Sequence, residues 1–298
     1  MATINAPVSP FTVTSADGTR IQGWRCGVGE HLWLLPPGLG TPLISWKYLI
    51  EHFSDQMTIA TWDPRGCYGS EVPGDVRRRE VSDHVDDGLA VLDALGWDRP
   101  FVTGGWSMGV ALGLELYARR PDQVCGLALI AGAYEHVLKT AFTSLPGKRH
   151  LLRATIGTMS LGGAAITKAN RYLLSQPWTF DVLKRARVVA ANESFFGEVL
   201  ADFRELDFEV YLPMILALER HSARHILPTV KVPTLIVSGD KDPMTPHKVG
   251  ERAHRAIPGS RFVTVPGGTH YTPIEFPEVL NAHLEAFFAA SVFRSTWR

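Results

Sequence analysis

The feature that most narrows the fold is a rhythm. Short apolar, β-branched runs alternate with longer stretches of helical periodicity, stop near residue 133, and resume near residue 229. His31–Leu35, Met57–Trp62, Phe101–Gly104, Val124–Ala131, Thr234–Ser238 and Phe262–Val265 read as buried strands. Trp46–Phe53, the series Val81, Val85, Leu89, Leu92 and Leu95, Met108–Arg120, His247–Ile257 and Pro277–Phe293 read as helices. Apolar strands separated by helices build a parallel sheet covered on both faces. Phe11–Ser15 and Thr19–Cys26 flank Ala16-Asp17-Gly18 and read as a hairpin at the start of the sheet. The expected fold is α/β: an eight-stranded, mostly parallel sheet flanked by helices.

The interruption, residues 134–228, has a different texture. Amphipathic stretches such as Tyr172–Leu183 and Phe195–Phe208 appear, and no strand-like alternation does. That length far exceeds a connection between neighbouring elements of a compact domain. It is therefore read as a helical cap inserted into a core made of residues 1–133 and 229–298. No internal repeat or low-complexity segment is visible.

Composition sets the outer bounds. The chain has 298 residues, 45% of them hydrophobic and 20% charged, enough for one large soluble domain with a sizeable core. Thirty basic residues balance thirty acidic ones, so no global field argues for nucleic acid or an anionic membrane. Arg77, Arg78 and Arg79 form a short basic run expected in a solvated loop. Cys26, Cys67 and Cys125 are odd in number and widely spaced, which suits a reducing compartment. Met1–Thr14 lacks the pattern of a secretory leader, and no run reaches the length of a membrane span. A cytoplasmic location is the default expectation.

The chemistry gathers around Gly105-Trp106-Ser107-Met108-Gly109, which lies between an expected strand and an expected helix. A serine hydroxyl is a weak nucleophile at neutral pH. It needs a base within hydrogen-bond reach, a third group to orient that base, and donors aimed at the oxyanion. Glycines beside the serine suit a tight, strained turn in which side chains two positions either side would collide across it.

The sequence here resembles the α/β-hydrolase fold superfamily over nearly the whole chain outside the cap. The resemblance implies Ser107 as nucleophile and the Met108 backbone N–H as one oxyanion donor. It also implies the chain order serine, acid, histidine. Asp242 lies 135 residues after Ser107, and His270 a further 28. Two carboxylates compete in Gly239-Asp240-Lys241-Asp242-Pro243. In similar hydrolases the acid comes three positions after the glycine, which favours Asp242 and leaves Asp240 as a turn carboxylate.

The base has eleven histidines to choose from. His84, His254 and His283 fall within helical patterns and His52 closes one, so packing or solvation explains them. His221 and His225 are spaced i, i+4 and could share a metal, but no third ligand or catalytic glutamate accompanies them. His270 alone follows a strand and a Gly267-Gly268 pair. The second oxyanion donor is carried over to the Leu39 N–H, in Pro37-Gly38-Leu39, where similar hydrolases have His-Gly. The rigidity of Pro36-Pro37 is expected to hold this loop in place of the missing histidine. Asp63-Pro64-Arg65-Gly66-Cys67-Tyr68-Gly69-Ser70 resembles a further stretch of the superfamily and reads as structural, with Asp63 and Arg65 fixing a loop.

A serine nucleophile argues against dehalogenase and epoxide hydrolase chemistry, which use a carboxylate. The expected activity is hydrolysis of small to medium apolar carboxylic esters, with no metal or organic cofactor implied. The alternatives are C–C bond hydrolysis of the meta-cleavage type, thioester or lactone cleavage, and a hydrolase-fold ligand receptor without turnover. The expected partner is a small-molecule ester; oligomeric state cannot be read. Trp178, Phe180, Phe195, Phe196, Phe203, Phe208, Tyr211 and Met214 give the cap a large apolar inventory. Most of it is expected to be the cap's own core, and a quarter to a third to line a pocket.

Overall fold

The computed structural model describes residues 3–141, 148–185, 188–189, 193–294 and 296–297. The hairpin β1 (Val8–Thr14) and β2 (Arg20–Cys26) is followed by β3 (His31–Leu34), a 3-10 turn (Leu43–Trp46) and α1 (Lys47–Phe53). β4 (Met57–Trp62), α2 (Val81–Leu95), β5 (Phe101–Thr103), α3 (Met108–Arg119) and β6 (Val124–Ile130) complete the first half. Among the described residues six helices come next: α4 (Val137–Thr140), α5 (Lys148–Ser160), α6 (Gly163–Leu174), α7 (Thr179–Arg185), α8 (Glu193–Phe203) and α9 (Phe208–Arg220). β7 (Thr234–Gly239), α10 (His247–Ala256), β8 (Arg261–Val265), α11 (Thr272–Glu275) and α12 (Pro277–Phe287) close the chain, with a π-helical turn over Phe288–Val292.

The strands form one eight-stranded sheet in the order β1-β2-β4-β3-β5-β6-β7-β8. Pairing is antiparallel at β1–β2 and β2–β4 and parallel from β4 onward. Its central strands are buried on both sides, and their residues alternate between two cores. Leu32, Leu34, Ala60 and Trp62 pack with α2, α3 and α10, while Trp33, Leu35, Met57 and Ile59 pack with α1 and α12.

The long amphipathic stretches expected between β6 and β7 are each divided. Tyr172–Leu183 breaks between α6 and α7, where Pro177 removes a helical donor. Ser175 Oγ and Gln176 Nε2 there donate to the Tyr172 carbonyl. Phe195–Phe208 breaks after Phe203, because Asp207 caps α9 by accepting from the Glu209 N–H at 2.9 Å. The Phe195 side chain lies outside the described residues. The expected helix Pro277–Phe293 gives way to its π turn after Phe287.

Arg65 is 1% exposed and does more than fix its own loop. It pairs with Asp87 on α2 and with Asp17 in the hairpin turn at 2.8 Å. Asp63 fixes the loop by accepting from the Gly69 N–H and ties it to β2 by accepting from Trp24 Nε1.

Candidate active site

Three strand ends meet here. β5 runs through Gly104 and Gly105 into α3, and Ser107 sits at the junction with φ 60° and ψ −115°. A positive φ at a non-glycine residue carries about 1–3 kcal/mol of strain, so neighbours must enforce it. The Ser107 N–H donates to the Ile130 carbonyl and the Ile130 N–H to the Gly105 carbonyl, both at 3.0 Å. These bonds pin the turn to β6.

The glycines also make room for the loop after β3. A Cβ at Gly105 would lie 2.2 Å from the Pro36 carbonyl oxygen, and one at Gly109 2.5 Å from the same atom. Both would strike the loop after β3. That contact brings Leu39 to the site: a Cβ at Gly38 would lie 3.4 Å from Ser107 Cβ.

His270 follows β8 and the Gly267-Gly268 turn. Its Nε2 lies 3.0 Å from Ser107 Oγ, and its Nδ1 lies 2.9 Å from Asp242 Oδ2. Asp242 is buried after β7 and accepts at both oxygens. The Met244 and Thr245 N–H groups donate to Oδ1 at 2.8 Å, and Thr245 Oγ1 donates to Oδ2 at 2.7 Å. With Nδ1–H given to the carboxylate, Nε2 is left to accept the Ser107 proton. Asp240 instead accepts from the Gly267 N–H at 2.7 Å, tying its turn to the one that precedes His270. Among the described residues, the Leu39 and Met108 N–H groups have no protein acceptor.

Four residues support the site without having stood out in the sequence. Trp106 is 2% exposed beneath the turn, and its Nε1 donates to the His270 carbonyl at 2.7 Å. Thr245 Oγ1 also lies 3.3 Å from His270 Nδ1. Glu275 on α11 accepts from the N–H and hydroxyl of Thr269, the residue before the histidine. Tyr68 donates to the Gly40 carbonyl at 2.6 Å, so the Asp63–Ser70 stretch also braces the Leu39 loop. A hint was present for Trp106 and Thr245, since each lies within three residues of a candidate.

Ser107 and His270 open into a cavity of about 240 Å³. Its walls are largely apolar: Leu39, Trp106, Val137, Leu138, Ala141, Ile156, Phe203, Ile215, Leu218 and Met244, with Thr41, Thr245, Tyr211 and Tyr271 as polar members. Burial raises Tyr211 to about 12 and lifts Tyr271 above its ordinary value, so both phenols remain protonated. Of the described aromatic and methionine residues named for the cap, Phe203 and Tyr211 line this cavity; Phe196 and Met214 are buried, and Trp178 is exposed.

His221 caps the C-terminus of α9 and lies 3.4 Å from Glu115, while His225 falls beyond the helix. The two share no helical face. Among the described residues, no three His, Cys, Asp or Glu side chains group as metal ligands, and no helix is long and apolar enough to cross a membrane.

Comparisons bear on this geometry. The chain is 28% identical over 295 residues to the serine hydrolase BPHL of Mus musculus, covering 94% of this chain and 89% of that one. Over 215 residues it is 32% identical to a pimeloyl-(acyl-carrier protein) methyl ester esterase of Neisseria meningitidis, covering 72% of this chain and 74% of that one. Among solved structures, the enol-lactonase of Burkholderia xenovorans shares its fold, with a TM-score of 0.73 and 24% identity over 93% of this chain and 99% of that one. A family model described as the alpha/beta hydrolase fold matches residues 32–277. With its sheet order and the turn at Ser107, this chain belongs to the alpha/beta hydrolase fold family.

Proposed function

We propose that the protein is a serine hydrolase that cleaves carboxylic esters of small to medium apolar substrates through an acyl-enzyme. The observation that carries this reading is the hydrogen-bonded chain Ser107–His270–Asp242 opening into an apolar cavity. Ser107 attacks the carbonyl while His270 Nε2 takes its proton. Asp242 holds the imidazole in that tautomer and stabilises the imidazolium. The oxyanion is received by the Met108 and Leu39 N–H groups, which have no other protein acceptor among the described residues. His270 returns the proton to the leaving alcohol, and water then reverses the steps on the acyl-enzyme.

Residues 134–228 serve in this reading as a cap. Val137, Leu138, Ile156, Phe203, Tyr211, Ile215 and Leu218, which line the cavity, all come from that segment. A cavity of about 240 Å³ takes a short acyl or alkyl group, and its apolar walls favour an uncharged one. The relatives whose names specify an ester or lactone agree with acyl chemistry.

The test is turnover and labelling together. Ser107→Ala should lower hydrolysis of p-nitrophenyl butyrate by at least about 10⁴-fold and abolish a fluorophosphonate adduct, with an unchanged circular dichroism spectrum. Retained turnover removes Ser107 as nucleophile. Cleavage of a β-diketone or lactone with no ester turnover in the unaltered protein would replace the substrate class.

A further inference from the structure

We propose that the outward side of α5, α6 and α7 is a docking surface for an anionic lipid interface. This goes beyond the esterase reading and does not depend on it.

The first observation is a shortage of burial. From residue 151 to residue 185, only Gly163 and Thr179 are buried. Helices in a globular protein are held by packing an apolar face, and these carry the residues for it. Leu161, in the turn between α5 and α6, is 90% exposed, with Leu151 at 69% and Tyr172 at 65%. Trp178 and Val182 are about half exposed. The inner sides of α5 and α6 already pack on α9, and Ile156 of α5 already lines the cavity. The outer apolar residues are therefore surplus to the fold, and such patches mark interaction sites.

The second observation is charge. Between Glu135 and Asp181 the sequence has no aspartate or glutamate, yet it carries Lys139, Lys148, Arg149, Arg153, Lys168 and Arg171. Lys139, Arg153, Lys168, Arg171, Lys184 and Arg185 are all exposed. The acidic residues of the same segment, Glu193, Glu198, Asp202, Glu205, Asp207 and Glu209, lie on α8, the turn after it and the start of α9; Glu205 pairs with Arg171 at 3.6 Å, while Arg153, Lys168, Lys184 and Arg185 have no ion pair among the described residues. A neutral chain thus conceals a cationic outer face.

These two features together select the occupant. Lys and Arg interspersed with Leu, Tyr and Trp is the composition that sits in an anionic headgroup layer, cations on phosphates and aromatics at the acyl boundary. A second copy docked by two-fold symmetry would set Lys168 and Arg171 close to their own counterparts, which opposes association. An acidic polypeptide would answer the charges but leave the aliphatic tip at Leu161 without a purpose.

Sedimentation with vesicles tests this. The protein should pellet with phosphatidylglycerol vesicles, bind phosphatidylcholine vesicles at least tenfold more weakly, and be released by salt. Lys168→Glu with Arg171→Glu should weaken binding at least about five-fold for each cation lost. Leu161→Ser with Trp178→Ser should weaken it too. Both double variants should keep p-nitrophenyl butyrate turnover, since none of these four residues lines the cavity. Four results would overturn the proposal: no pelleting with phosphatidylglycerol, equal binding to both lipids, variants that bind as the parent does, or a solution dimer that Leu161→Ser dissociates. Binding to polyglutamate as tight as to vesicles, unaffected by Leu161→Ser and Trp178→Ser, would reassign the face to an acidic polypeptide.

Discussion

The sheet edge that carries Ser107 and the helical layer that follows β6 obey opposite rules. Along β3 to β7 nearly every side chain is buried, and Ser107 is held against residues 163 positions away in sequence. Across α5 to α7 almost nothing is buried, although large apolar residues are plentiful. Dense, long-range packing fixes atoms to within the tolerance that proton transfer demands. Sparse packing leaves surface for a partner. Positioning falls to one region and exposure to the other.

The sharpest way to break this contrast is to truncate a leucine on each side. Leu112→Ala in α3, at a position with no exposure, should cost about 2–5 kcal/mol of unfolding free energy. Leu161→Ala should stay within about 0.5 kcal/mol. Urea denaturation decides, and equal losses would mean that the outer layer is as well packed as the core.

Next comes the core's handling of a buried polar group. His84 on α2 is 1% exposed, has no hydrogen-bond partner among the described residues, and has its nearest carboxylate, Asp87, at 4.0 Å. Burial, and then the Arg65 cation, push its imidazole down to about 3. Its folded pKa is thus lower than its unfolded one, so the unfolded chain binds the extra proton below pH 6.5. Stability is fully retained above that pH and falls as pH drops toward 3, by up to about 1.4 kcal/mol per unit. Asp63, which burial raises to about 6, acts in the opposite sense but equally in both proteins. His84→Leu should therefore stabilise more at pH 5 than at pH 8. An equal gain at both would discard the linkage.

The smallest expected effect is the subtlest in geometry. Thr245→Val removes the hydroxyl that donates to Asp242 Oδ2 and should lower kcat about tenfold with little change in KM, about 1.4 kcal/mol. Thr245→Ser should restore most of the rate. A change confined to KM would make Thr245 a wall of the cavity and not a support for the acid.

Much of the sheet was legible because parallel strands are continuous apolar runs. Met57–Trp62 has the same bounds in sequence and structure for that reason. The order of Ser107, Asp242 and His270 was implied by the resemblance to the α/β-hydrolase superfamily, and the structure brings those three within hydrogen-bond contact. The breaks at Pro177 and Asp207 were harder, since helical periodicity continues across them in sequence while a cap or a missing donor ends the helix in space. The hydrogen bonds of Trp106 and Tyr68 were not legible. Each residue acts through one hydrogen bond to a backbone carbonyl far along the chain, and no local pattern encodes such a partner. The acid-free run before Asp181 stood in plain view, but its meaning depended on knowing how little around it is buried.

Trp106 has a consequence for how such a site can change over time. Its indole ties the segment carrying the serine to the segment carrying the histidine, so the two cannot drift independently. A substitution at position 106 is felt at the serine and the histidine at once. Transplanting the Gly105–Gly109 turn into another scaffold would import the serine without its alignment to the histidine. The natural module to inherit, or to engineer, is the pair of loops joined by that one N–H.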